Sequence, residues 1–240
     1  MIPVTKPTPD NEPELFLKNC REPGAAWLVA HPDKDPHEQS DWWSNFKPDV
    51  ARLFGYRCGW QATSIDLDGI VEHWLACGNR RGVASPNRHL AFEWTNYRYC
   101  AGKVNSRKGT LDDQILDPCD VQEGWFEVLL PSFRLVTTKK IPEQLRDKAN
   151  FTLEQLQLDL FESRWTRWRW YLRYWNNGTP DLDGLRQDAP LVAIAVEKAL
   201  AAQNVLPNPE DHSPDHEIRA RKYPFRTRRK RLHNDPEPNL

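Results

Sequence analysis

The chain has 240 residues and a formal net charge of −1, from 33 Lys and Arg against 34 Asp and Glu. This length suits one elaborate domain or a small domain with helical extensions. Hydrophobic residues make up 39% of the chain and 11 residues are Trp, which argues against wholesale disorder. No apolar run reaches the roughly 18 residues of a transmembrane helix, and no apolar segment typical of a secretory signal follows Met1. We therefore expect no membrane partner and a cytoplasmic location.

The cysteines fit a reducing compartment. There are five of them, an odd number, and no two have CxxC spacing, so neither a disulfide framework nor a zinc site of paired cysteines is indicated. One zinc alternative stays open, a site built from four cysteines that are far apart in sequence. These are Cys58, Cys77, Cys100 and Cys119.

In chain order, residues 1–55 are rich in Pro and acidic residues, and they read as an arm with two short helices. The first helix is predicted near residues 12–19, and the second near 48–54, where Pro48 suits a first helical turn. Short strands are predicted at 56–60 and 69–74. A helix is predicted from 95 to 107, with Thr95 as its N-cap and Gly109 just beyond its C-terminus.

The second half of the chain is mostly helical by its pattern. Residues 125–137 read as two strands that Pro131 separates. A Trp-rich helix is predicted over 152–175, with a capping box at Thr152 and an apolar stripe that reads as core packing. A buried helix is predicted near 190–203, and the chain from Leu206 onward is charged, Pro-rich and expected to be mobile.

The residues that carry chemistry are Glu72, His73, Asn96 and Asn105. Adjacent strand residues point to opposite faces, so a Glu-His pair at a strand end can serve two different partners. The amide of Asn96 can fix a loop, and Asn105 can offer a carbonyl oxygen to a hard cation such as Mg²⁺.

Three segments together resemble the HNH endonucleases of the ββα-metal type. They are Val71-Glu72-His73-Trp74, Leu90-Ala91-Phe92-Glu93-Trp94-Thr95-Asn96-Tyr97 and Val104-Asn105-Ser106-Arg107-Lys108-Gly109. The resemblance covers about residues 56–137 and is nearest to the HNH proteins that accompany ATPases in bacterial anti-phage systems of the Septu and retron types. It departs from many relatives in lacking two CxxC pairs that bind zinc, and in having Glu72 where Asp is commoner. Aromatic packing is expected in place of that zinc.

The resemblance implies a role for each site residue. His73 is the expected general base that activates water, and Asn96 is expected to brace the loop that carries it. Glu72 and Asn105 are the expected ligands of one Mg²⁺ or Mn²⁺ ion, which would neutralise charge on the scissile phosphate. Lys108 is expected near phosphate.

Two basic segments are the predicted nucleic-acid contacts. The stretch 219–233 holds eight basic and no acidic residues, so it carries a charge of +8. The rest of the chain carries −9, which gives the net charge of −1. Such runs often bind nucleic acid, although a solubilising tail is the alternative. The helix at 95–107 is also basic, as expected of a helix along a duplex. The predicted contacts are Arg98, Lys103, Arg107, Lys108, Arg226, Arg228, Arg229 and Lys230.

These observations predict an α+β protein with a ββα-metal core at 56–137. An N-terminal arm at 1–55, a helical, Trp-rich extension at 138–206 and a charged tail at 207–240 surround it. The expected function is metal-dependent hydrolysis of DNA in anti-phage defence, with DNA and an ATPase subunit as partners. Two alternatives remain: a catalytically silent nucleic-acid-binding or adaptor subunit, and a nuclease that cleaves RNA.

Overall fold

The computed structural model describes residues 1–79 and 81–214, and in this part of the chain it has an α+β architecture. Helices alternate with two small antiparallel sheets. The helices are α1 (Glu22–Ala30), α2 (Ser40–Ser44), α3 (Lys47–Leu53), α4 (Gly102–Lys108), α5 (Glu143–Gln155), α6 (Phe161–Asn177), α7 (Leu182–Asp188) and α8 (Pro190–Ala201). The strands are β1 (Ile70–His73), β2 (Tyr97–Cys100), β3 (Phe126–Leu129) and β4 (Arg134–Thr137).

The first sheet places the Glu-His pair. β1 pairs antiparallel with β2, in a register that sets Glu72 opposite Arg98 and His73 opposite Tyr97. α4 begins directly after β2 and ends at Gly109, whose φ of 49° is favourable for glycine. The predicted strand at 69–74 and the predicted terminating glycine are confirmed.

The predicted helix over 95–107 is wrong in its first half, because residues 97–100 form β2. All four residues of β2 are buried, and the aromatic side chains of Tyr97 and Tyr99 suit a strand that is covered on both faces. The predicted strand at 56–60 is also wrong, since only an isolated bridge joins Arg57 to Ser64.

The N-terminal arm packs against the first sheet. One hydrophobic cluster joins Phe16, Trp43 and Phe54 of the arm to Trp94 and Tyr97. The predicted helix at 12–19 forms later, as a π-helical turn at Leu17–Arg21 that leads into α1. The helix predicted at 48–54 is confirmed as α3, which contacts both β1 and β2.

A second hydrophobic cluster covers the other half of the fold. It joins the ends of the first sheet to the β3–β4 hairpin and to α5, α6 and α8. The two strands predicted within 125–137 and the helix predicted near 190–203 are confirmed as β3, β4 and α8. Both clusters cross the predicted domain boundary at 55, and the second cluster also crosses the one at 137.

The predicted helix over 152–175 is two helices, α5 and α6, separated by residues 156–160. The predicted cap Thr152 is buried within α5, where its hydroxyl donates to Lys148 O and accepts from Leu116 N. The stripe on α6 packs only in part against the core, since Trp168 is buried whereas Trp175 is 40% exposed.

Part of the segment that was predicted to be mobile is packed against the fold. Residues 207–209 lie on α6, because the indole N–H of Trp168 donates to Pro209 O and the hydroxyl of Tyr171 donates to Pro207 O. Residues 215–240, which include Arg226, Arg228, Arg229 and Lys230, lie outside the described residues. Across residues 1–79 and 81–214, no helix has the length and apolar character needed to span a bilayer.

Candidate functional site

The structure brings His73 into a buried aromatic environment at the end of β1. Its ring makes edge contacts with Trp43 at 4.8 Å and with Tyr97 at 5.4 Å between centroids. Its Nε2 lies 2.8 Å from Ala91 O. Because a carbonyl only accepts, Nε2 carries the proton and donates it, which leaves Nδ1 as the proton-accepting nitrogen.

Burial keeps this imidazole neutral. It lowers the pKa of His73 from 6.5 to about 4, the bond to Ala91 O opposes the shift, and the nearby His37 and Lys108 add to it. The bare Nδ1 therefore keeps its lone pair available to a water proton at neutral pH, and the lowered pKa makes it a weaker base than a free imidazole.

We expect this shift to make stability depend on pH. The pKa of His73 is depressed in the folded protein, so its contribution is complete above the unfolded value near 6.5 and is lost as pH falls towards about 4. The shift corresponds to about 3 kcal/mol in the free energy of unfolding. Urea titrations between pH 7 and 4 measure this dependence, and the variant His73→Gln should show a shallower one. If the free energy of unfolding depended on pH equally in both proteins, the depressed pKa could not be assigned to His73.

Asn96 ties together the two ends of the loop between β1 and β2. Its Oδ1 accepts from Leu75 N at 2.8 Å, and its Nδ2 donates to Leu75 O and Leu90 O at 3.0 and 3.3 Å. The side chain therefore fixes the loop that contributes Ala91, the residue that orients His73.

Glu72 faces Lys108 across the site. Lys108 Nζ lies 2.9 Å from Glu72 Oε1 and donates to His73 O at 2.8 Å. Burial raises the pKa of Glu72, and the Lys108 ammonium opposes that rise. Lys108, which was expected near phosphate and as a nucleic-acid contact, is buried between Glu72 and the backbone of His73, so its side chain is not exposed to a nucleic acid.

Asn105 lies one turn before Lys108 on α4 and is half-buried. Its side chain makes no hydrogen bond to the residues that the structure describes. The chemistry of Glu72 and Asn105 fits a hard divalent ion, because both offer oxygen atoms and Mg²⁺ keeps several waters. Within residues 1–79 and 81–214, no group of three or more His, Cys, Asp or Glu side chains is placed to hold a metal. Water and phosphate would therefore complete the coordination.

Arg98 is not a nucleic-acid contact. It lies in β2 rather than on a helix, is 1% exposed, and donates from Nε and Nη2 to the two carboxylate oxygens of Asp117. Its guanidinium also donates to Thr95 O and Tyr97 O. The Arg98–Asp117 pair thus holds β2 to the segment beyond α4.

The other two predicted nucleic-acid contacts on α4, Lys103 and Arg107, have their positive charges partly neutralised. Lys103 Nζ lies 2.6 Å from Glu162 Oε1, and Arg107 Nη2 lies 2.9 Å from Glu162 Oε2. Both side chains bind this α6 carboxylate, and only that of Lys103 is mostly exposed.

The four cysteines of the alternative zinc site do not converge. Cys58 and Cys100 lie in the cluster that contains Trp60 and Val104, whereas Cys77 belongs to the other cluster and Cys119 borders it. Trp60, which lies near Cys58, and Val104, which directly precedes Asn105, are both fully buried.

Sequence reasoning missed three residues beside His73. The arm contributes Asp35 and His37, and the loop after β1 contributes Asn79, which together with His73 line a cavity of about 280 Å³. The Asp-Pro-His order predicts a capped turn, which the structure has, but no sequence signal indicates that this turn folds against β1.

Comparisons of the chain with protein-family models, with curated proteins and with solved structures give no match.

Proposed function

We propose that this protein is a metal-dependent endonuclease of the HNH type that hydrolyses DNA phosphodiester bonds. The observation that carries the proposal is the setting of His73, a neutral imidazole fixed through Nε2 by Ala91 O at the end of β1. Glu72 precedes it, Asn96 braces its loop, and Asn105 lies on the helix that follows β2. These residues would supply a base, an orienting contact and oxygen ligands for a metal ion.

In this proposal, His73 Nδ1 accepts a proton from a water molecule as the water oxygen attacks phosphorus. Asn96 and Ala91 keep the ring in the tautomer that leaves Nδ1 free. Lys108 compensates the charge of Glu72 and holds the backbone of His73 in place. A divalent ion bound by Glu72 and Asn105 would neutralise charge on the scissile phosphate.

The test is the nicking of supercoiled plasmid in Mg²⁺ or Mn²⁺, with EDTA as the metal-free arm and a labelled RNA in parallel. We expect nicks in the presence of metal and none with EDTA. The absence of cleavage with any metal would contradict the proposal. Cleavage of RNA but not of DNA would show that the substrate of the nuclease is RNA.

Replacement of Asn105 tests the ligand set. Asn105→Ala removes one of two protein oxygen ligands, so we expect the Mn²⁺ concentration for half-maximal nicking to rise about tenfold, the equivalent of about 1.4 kcal/mol. Direct titration of Mn²⁺ by electron paramagnetic resonance should show the same weakening. Ser106→Ala, on the next residue of α4, is the matched control. An unchanged Mn²⁺ affinity in Asn105→Ala would show that Asn105 is not a metal ligand.

One observation favours a second candidate, a catalytically silent adaptor. Glu72 already has a cationic partner in Lys108, which competes with a metal ion for the carboxylate. This candidate predicts that the protein binds DNA or a partner without nicking, whatever the metal. The partnership with an ATPase in anti-phage defence rests on the sequence resemblance alone.

A further inference from the structure

The cavity beside His73 holds a second histidine. Its walls come from three parts of the chain: the arm before α2, the loop after β1, and the turn after α4. The described lining residues that carry polar side chains are Asp35, His37, His73, Asn79 and Thr110. His37 and His73 face each other there, with ring centroids 5.6 Å apart and planes at 85°.

Asp35 sets the orientation of His37. Its Oδ1 accepts from the backbone N–H of His37 at 2.9 Å and lies 2.8 Å from His37 Nδ1. Burial raises the pKa of Asp35, but the bonds from His37 and from Asn79 N outweigh it and lower the pKa overall. The ionised carboxylate accepts a hydrogen bond from Nδ1–H, so the other ring nitrogen, Nε2, is left for another partner.

The loop after β1 is shaped around this ring. A Cβ on Gly78 would lie 2.6 Å from His37 Cε1 and 2.7 Å from His37 Nδ1, so only glycine allows the ring to lie where it does. Asp35 Oδ2 also accepts from Asn79 N at 2.9 Å. The arm and the loop therefore hold His37 from two sides.

A second, independent observation points to a ligand. Asn79 lines the same cavity, and its Oδ1 is buried without a hydrogen-bond partner among the described residues. Such an atom carries a free-energy cost that a donor from a bound molecule or water would remove. A polar ligand in this cavity would meet His37, His73 and Asn79 together.

We propose that His37 is the proton donor to the leaving oxygen in the hydrolysis for which His73 is the base, an inference that rests on the proposed nuclease function. The water oxygen forms a bond to phosphorus and gives its proton to His73 Nδ1. The bond from phosphorus to the leaving oxygen breaks, and its electron pair takes the proton from His37 Nε2. His37 is then neutral, and the proton that stays on its Nδ1 is still donated in the hydrogen bond to Asp35, as in other carboxylate-oriented imidazoles.

The experiment compares two substrates that differ in their need for a proton donor. Plasmid DNA has an alkoxide leaving group, whereas bis(4-nitrophenyl) phosphate releases a stable phenolate that needs no proton. We expect His37→Gln to slow plasmid nicking by about 10²-fold, the scale of general acid catalysis. Hydrolysis of the nitrophenyl ester should change by less than about threefold if proton donation alone is lost.

Two further variants separate the loss of the His37 proton from a loss of folding. Gly78→Ala should displace the His37 ring and give the same selective loss, and His31→Gln, on an exposed histidine of the same arm, should leave both rates unchanged. Melting temperatures identify any variant that does not fold.

Equal losses on both substrates, or no loss on either, would overturn the role of His37 while leaving the nuclease function intact. A wild-type protein that cleaves neither substrate would overturn both proposals.

Discussion

The variant His73→Ala is expected to slow plasmid nicking by about 10²- to 10⁴-fold, the usual contribution of a positioned general base. Among the residues that the structure describes, His73 alone combines a neutral imidazole, a fixed tautomer and a place beside Glu72. Removing the ring leaves water without a proton acceptor at this point. The measurement is the initial rate of conversion from supercoiled to open-circular plasmid at saturating Mg²⁺.

The loop between β1 and β2 offers a matched control. His89 lies in the same loop and is exposed, so His89→Ala should nick plasmid at the wild-type rate. Circular dichroism and melting curves check that His73→Ala is folded, since the imidazole also packs against Trp43 and Tyr97. A folded His73→Ala protein that nicks as fast as wild type would exclude His73 as the base.

The sequence correctly predicts those helices and strands whose start, end or burial is encoded by residues within the element itself or next to it. α3 has a proline in its first turn, α8 is an unbroken apolar run, and β3 and β4 flank Pro131. β1 ends at the Glu-His pair, as expected from the polar loop that follows it. Each of these elements is decided by residues within a few positions of itself.

The errors arise where distant residues decide the structure. The basic residues between 95 and 108 predict one helix, but Arg98 pairs with Asp117 and Tyr97 packs on Phe16 of the arm. Burial by these distant residues makes residues 97–100 a strand, which their two tyrosines also favour. The split between α5 and α6 has a similar cause, since Asp159 accepts from Leu135 N of β4 and fixes the chain between the two helices.

The residues of the candidate site also fall into a group that the sequence could predict and one that it could not. Glu72, His73 and Asn96 come from one motif and meet around one strand end, so the sequence could place them. His37 comes from 36 residues before His73, and no periodicity links the arm to that strand. Its position follows from the packing of Trp43 against His73, which only the folded chain reveals.

Removing the guanidinium of Arg98 is expected to have the largest effect on stability. Arg98→Met would leave Asp117 buried without its cationic partner, because Lys6 Nζ, the other cation near it, is 4.0 Å away. Loss of one partner of a buried pair costs about 3–5 kcal/mol in the free energy of unfolding. Urea denaturation at pH 7 measures this change.

The exposed pair between Arg52 and Asp49 is the control, since Arg52→Met should cost about 0–1 kcal/mol. The double variant Arg98→Met, Asp117→Leu should recover part of the loss, because it removes the uncompensated carboxylate. A cost for Arg98→Met no larger than that for Arg52→Met would contradict the buried pair. Arg98 also lies opposite Glu72 in the β1–β2 register, so the folded variant should nick more slowly as the strand that faces the site loosens.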